Sequence, residues 1–175
     1  KRLGLSDTQC AAYSGWLGLP WVIKPLWSPI VEIFKTKRWW ILTMQALMGI
    51  ALALIAFTIP THYYVQASLA LFFLIAFSSA THDIAADGFY MTALNEHDQA
   101  QYVGIRSTFY KLATIFAEGL LLMYIGSWEV ITKNVTDAWS IGLGTIAGLL
   151  MLMTVYHLCT LPKTEHNAHD DQHHL

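Results

Sequence analysis

Five apolar runs, at about residues 16–34, 39–59, 65–88, 102–127 and 139–161, each reach the roughly 20 residues that a helix needs to cross the hydrocarbon layer of a bilayer. Runs of that length exceed what a buried helix of a soluble domain requires. Composition agrees: of 175 residues 55% are hydrophobic and only 13% charged, which selects a polytopic membrane protein. The expected fold class is therefore all-α, with five transmembrane helices.

Punctuation supports these boundaries. Pro60 and Pro162 follow the second and fifth runs, and Trp39, Trp40, Tyr63, Tyr64, Trp128 and Trp139 stand at interfacial heights. A polar hairpin at Asn95, Glu96, His97, Asp98 and Gln99 predicts that the third and fourth helices run antiparallel. Lys35, Lys37 and Arg38 crowd the 35–38 loop while the 60–65 loop has no Lys or Arg, so the first is expected in the cytoplasm, together with the 95–101 hairpin and the tail from Lys163. The expected location is the plasma or inner membrane, in several passes. An odd number of spans, and Lys1 in place of Met, predict one further helix upstream that would complete a six-helix bundle.

Several classes drop out. A net charge of −2 with no basic face excludes nucleic-acid binding. Cys10 and Cys159 lie near opposite ends of the chain and read as bland thiols. The tail KTEHNAHDDQHHL is His-rich, but its irregular ligand spacing fits a solvated linker better than a metal site. Asn134-Val135-Thr136 matches the glycosylation acceptor pattern, and an accidental match explains it equally well. No catalytic residue, metal or cofactor is expected.

The charges are unevenly distributed. The second and fifth runs contain no Asp, Glu, Lys or Arg, so they can face lipid; the first, third and fourth must turn a face to protein or water. In the fifth, Gly144 and Gly148 form a small-xxx-small pair suited to close packing. Ser79, Asp83 and Asp87 recur every four residues in the third run, and Ser107, Lys111, Thr114 and Glu118 form a polar stripe in the fourth. Folding about the hairpin brings Asp87 level with Arg106 and Asp83 level with Lys111. The first pair is expected to latch the helices, so that exchanging its two charges restores what either reversal loses. The deeper pair is open to two readings, a coupling site or an inert ion pair.

Lys24 lies in the first run among Pro20, Pro25 and Pro29, which predict a bent helix lining a cavity. From there it could attract an anionic substrate or pair with Glu118 or Asp83. Glu118 reads either as a protonation site or as a neutral, hydrogen-bonded acid. His82 could extend a proton path with Asp83 or simply be packed. His157, beside Tyr156, reads as structural or interfacial.

Three strings, GLPWVIKPLWSPIVEIFKTKRWW, SATHDIAADGFY and YKLATIFAEG, resemble the amino-terminal half of a major facilitator superfamily transporter, nearest to the AmpG-type muropeptide permeases and their acetyl-coenzyme A transporter relatives. The resemblance covers about residues 3–161. It implies that the five spans are helices 2 to 6 of a partial six-helix bundle, that the two uncharged spans are peripheral, and that 162–175 is a cytoplasmic tail or inter-half loop. It also implies a gating role for Glu32, Lys37 and Arg38 in the loop after helix 2, although Glu32, Ile33 and Lys35 stand where the superfamily pattern has Asp, Arg and Gly.

The expected function is secondary active transport, with a small anionic solute such as a muropeptide, protons, the lipid bilayer and the remaining helices of the full-length transporter as partners. Proton uptake by Asp83 or Glu118 would change their pairing with Lys111 or Lys24. An acetyl-coenzyme A or other anionic-metabolite carrier is the alternative. A channel or a structural membrane subunit is a rival of another class. A metal-dependent phosphotransferase built on Asp83 and Asp87 fits least, because the upstream Asp-Gly and Ala-Arg elements it requires are missing between Tyr64 and His82.

Overall fold

The computed structural model describes residues 5–163, so the His-rich tail beyond Lys163 lies outside the described residues. Among the described residues, four helices are long and apolar enough to cross a membrane: α4 (Lys37–Thr58), α5 (Tyr64–Ala93), a composite helix over Glu96–Thr132, and α8 (Val135–Thr160). The composite begins as α6 (Glu96–Ile115), widens into one π-helical turn (Phe116–Leu120) and resumes as α7 (Leu121–Thr132).

The expected first span is not one helix. Its residues form the end of α1 (Asp7–Leu17), then α2 (Leu19–Val22), a 3-10 turn (Lys24–Leu26) and α3 (Ser28–Ile33). The prolines explain the breaks. Pro20, Pro25 and Pro29 each occupy the first turn of their piece, where a missing N–H goes unnoticed but a continuing helix would clash. Ahead of them, Ser6 and Gln9 form a capping box that starts α1 before the first apolar run begins.

Local chemistry sets the other ends. The Thr36 hydroxyl accepts from Trp39 N at 3.2 Å to start α4, and Asn95 accepts from Asp98 N at 2.9 Å to start α6. Asn134 of the Asn-Val-Thr triplet caps α8 instead, accepting from Thr136 N and donating to Asp137.

α4 packs most extensively against α5 and α8, α7 returns along α8, and the broken segment α1–α3 lies along α5. α6 packs extensively on none of the other described helices. Charge alone had suggested that α4 faces lipid, yet α4 is the most covered of the long helices and the composite one, with Lys111 and Glu118, the least. Where α3, α4 and α5 meet, Val31, Ile41, Ile84 and Ala85 form a buried cluster under Trp27, Trp40, Phe89 and Leu161.

Small residues do allow close approach, at other positions than expected. A Cβ on Gly142 would lie 2.4 Å from Ile125 Cγ1, and one on Gly49 would lie 2.9 Å from Met151 Sδ, whereas Gly148 faces open space and Gly144 only touches Ala56. The α7–α8 and α4–α8 crossings therefore run through Gly142 and Gly49.

Candidate functional site

The third apolar run places Asp83 and Asp87 one turn apart on α5, and two cations from different elements converge on them. Arg106 of α6 uses its fork: Nη1 donates to Asp87 Oδ1 and Nη2 to Asp83 Oδ1. Lys24, carried by the 3-10 turn, donates through Nζ to Asp83 Oδ2 and lies 3.9 Å from Asp87 Oδ2. Two carboxylates and two cations thus close a network of net charge zero. Its side chains are 21–40% exposed, so it lies beside accessible space.

The broken segment owes its position to more than Lys24. Trp27 Nε1 donates to Thr81 Oγ1 at 3.2 Å, Thr81 in turn donates to Phe77 O at 2.8 Å, and the Trp27 and Phe77 rings lie 5.2 Å apart. The Trp21 ring sits 5.6 Å from Lys24 Nζ, within reach of a cation–π attraction. The prolines that break the helix therefore allow a lysine to turn onto α5.

The expected Asp87–Arg106 pair is present, but the expected Asp83–Lys111 pair is replaced. Asp83 is taken by Arg106 and Lys24, and Lys111 is exposed with no ion pair among the described residues. Two physical reasons account for this. A guanidinium is long and forked enough to serve both carboxylates, and α6 does not stay packed along α5, which carries Lys111 away. Glu118 is likewise exposed, on the π-helical turn, and pairs with neither Lys24 nor Asp83. Ser107 and Thr114 of the same stripe donate back to the carbonyls of Val103 and Tyr110 on their own helix.

Among the three loop charges, Arg38 reaches across to α8. Its Nε donates to Leu161 O at 3.0 Å and its Nη2 to Leu158 O at 2.6 Å, tying the start of α4 to the open carbonyls at the end of α8. The stem of Lys37 lies on Gly88, where a Cβ would come within 2.7 Å of its Cε. Glu32 is exposed and makes no ion pair among the described residues. Lys35 has a left-handed backbone, φ 62°, a conformation that favours glycine.

His82, next to Asp83 in sequence, lines a separate cavity of about 520 Å³ together with His157, Tyr90 and Tyr102. His157, set aside from sequence as structural, has its Nδ1 2.8 Å from Oε1 of the buried Gln45 on α4. Neither the lone His in the last run nor Gln45 gave a sequence signal, because their meeting depends on the α4–α8 crossing at Gly49. Among the described residues, no three His, Cys, Asp or Glu side chains group as a metal site.

Comparison with known proteins agrees with this architecture. The chain is 30% identical over 128 residues to the anhydromuropeptide permease of Escherichia coli K12, covering 70% of this chain and 26% of the permease. It is 32% identical over 121 residues to an uncharacterized protein of Haemophilus influenzae (65% of this chain, 28% of that one), and 30% identical over 126 residues to one of Schizosaccharomyces pombe (63% and 24%). It thus spans about a quarter of the length of these relatives. No solved structure matches significantly. The Major Facilitator Superfamily model matches residues 2–173, almost the whole chain. With its membrane-spanning helices and its ion network between them, the chain belongs to the Major Facilitator Superfamily.

Proposed function

We propose that the full-length protein is a proton-coupled secondary transporter that takes up an anionic solute, with an anhydromuropeptide as the solute to test first. The observation that carries this reading is the net-neutral network of Lys24, Asp83, Asp87 and Arg106. With both carboxylates ionised, no net charge is available to hold an anion. A proton on Asp83 removes its attraction for Lys24 Nζ and Arg106 Nη2 and leaves the network at +1. A carboxylate or phosphate of the solute then restores neutrality, so proton and anion enter together. Ionisable groups within membrane helices mark such pathways because their cost in lipid is otherwise hard to sustain.

Alternating access supplies the motion: two states of the bundle differ in which side reaches the site, and the occupied, neutral network is the form that crosses. Asp87 and Arg106 act as the latch nearer the hairpin. Lys111 and Glu118 we assign to the part of the path that the rest of the protein completes. We also assign the 35–38 loop, the 95–101 hairpin and the tail from residue 163 to the cytoplasmic side of the plasma or inner membrane. The Arg38 bonds to Leu158 and Leu161, and the contact of Lys37 with Gly88, support a shared end for these segments.

The test is uptake by the full-length protein in proteoliposomes. Saturable counterflow of labelled anhydromuropeptide, stimulated by an inward proton gradient, is the expected result. Competition by acetyl-coenzyme A without muropeptide uptake would move the solute to the other anionic class. Flux that neither saturates nor shows counterflow would replace the carrier by a channel.

A further inference from the structure

We infer that His82 and His157 form a proton relay to Asp83 from the cavity at the hairpin end, with Gln45 as the positioning residue for His157. The inference rests on the proton-coupled reading above. The cavity is lined by Ala93 and Leu94 at the end of α5 and by Leu161 and Pro162 after α8, so it opens where those segments meet. Among the described residues its imidazoles are two, from different helices, and its volume of about 520 Å³ leaves room for water between them.

Three features suit these rings for relay. Gln45 Oε1 accepts from His157 Nδ1, which leaves Nε2 of His157 as a free acceptor. His82 makes no hydrogen bond among the described residues and lines the cavity, so its ring nitrogens are left for water to bond. His82 is the sequence neighbour of Asp83 and shares the cavity with His157. Asp83 follows His82 in sequence but belongs to the charge network, so the two residues connect cavity and network through one turn of α5.

The transfer balances without any other reactant. A hydronium in the cavity protonates Nε2 of His157, and water carries the proton on to one ring nitrogen of His82. His82 releases the proton from its other nitrogen through water to the Asp83 carboxylate, and both rings return to neutral. The titratable groups around His82 are Asp83 on its own helix, His157 from α8, and the phenols of Tyr90 and Tyr102. Among the described residues, no other ionisable side chain lines the cavity.

The experiment uses the full-length protein in proteoliposomes with labelled anhydromuropeptide. His82→Ala and His157→Ala are expected to lower proton-gradient-driven uptake by about tenfold or more, while counterflow at equal pH stays near the wild-type rate. Added imidazole should enter the enlarged cavity and restore driven uptake in His82→Ala. Gln45→Leu should give a smaller loss of the driven arm alone. Unchanged driven uptake in both histidine variants would overturn the relay. So would loss of driven uptake and counterflow together without imidazole rescue, which means a packing or solute-contacting role. If the wild type itself ignores the proton gradient, the proton-coupled reading falls and the relay with it.

Discussion

Exchanging the two charges of the hairpin latch separates a four-membered network from an isolated ion pair. In Asp87→Arg/Arg106→Asp, the new arginine stands beside Lys24, whose Nζ lies 3.9 Å from Asp87. The new aspartate stands beside Asp83, which Arg106 now holds. Unit charges about 4 Å apart interact by about 4 kcal/mol at an effective dielectric of 20 and by about 1 kcal/mol in water. With side chains 21–40% exposed, about 2 kcal/mol per contact is the appropriate scale. The exchange regains one attraction of about 2 kcal/mol and adds two repulsions of that size. The neutral double variant Asp87→Asn/Arg106→Gln adds none and leaves Lys24 paired with Asp83. The exchanged protein should therefore be about 2 kcal/mol less stable than the neutral one, a factor of roughly 30 in the folded ratio. Both can be measured by unfolding the purified full-length protein in mixed micelles and by its level in membranes. If the exchange matched the wild type, as an isolated pair would, the network would be wrong.

Three further outcomes follow from packing and backbone geometry, each read by thermal or detergent unfolding. Gly142→Ala should destabilise by about 1–3 kcal/mol, because its Cβ falls 2.4 Å from Ile125 Cγ1. Ile125→Ala should relieve part of that cost, and Gly148→Ala should be tolerated; equal effects at the two glycines would contradict the α7–α8 crossing. Arg38→Ala should cost about 1–2 kcal/mol by leaving the carbonyls of Leu158 and Leu161 without their donor, and Arg38→Lys should recover only part of it. Lys35→Gly should stabilise by about 1 kcal/mol, since the left-handed φ of 62° strains a side chain that meets no described partner; destabilisation there would assign Lys35 a contact of its own.

Much of this protein is legible in its sequence because lipid imposes a simple rule on length and charge. Apolar runs located α4, α5, the composite helix and α8, and the Asp87–Arg106 pair followed from counting residues back from the hairpin. Partner choice was not legible. Depth-matching assumes two helices that remain side by side, and α6 leaves α5, so Lys111 never reaches Asp83. The prolines near Lys24 signalled a bend, and Asp83 was one of the two partners open to that lysine, but the sequence did not show that separate short pieces would carry it there. Glycine spacing suggested Gly144 and Gly148, whereas packing selected Gly142 and Gly49, because identical small residues cannot declare which face meets a neighbour. His157 and Gln45 carry no motif at all. They join only through tertiary contact, at a separation of 112 residues.

The central claim is that protonation of Asp83 couples proton entry to solute entry, and Asp83→Asn tests it most directly. The asparagine mimics the protonated carboxyl and cannot release a proton. In proteoliposomes, the full-length variant is predicted to exchange labelled anhydromuropeptide by counterflow but to lose accumulation driven by an inward proton gradient. Accumulation at the wild-type level under the same gradient would contradict the account.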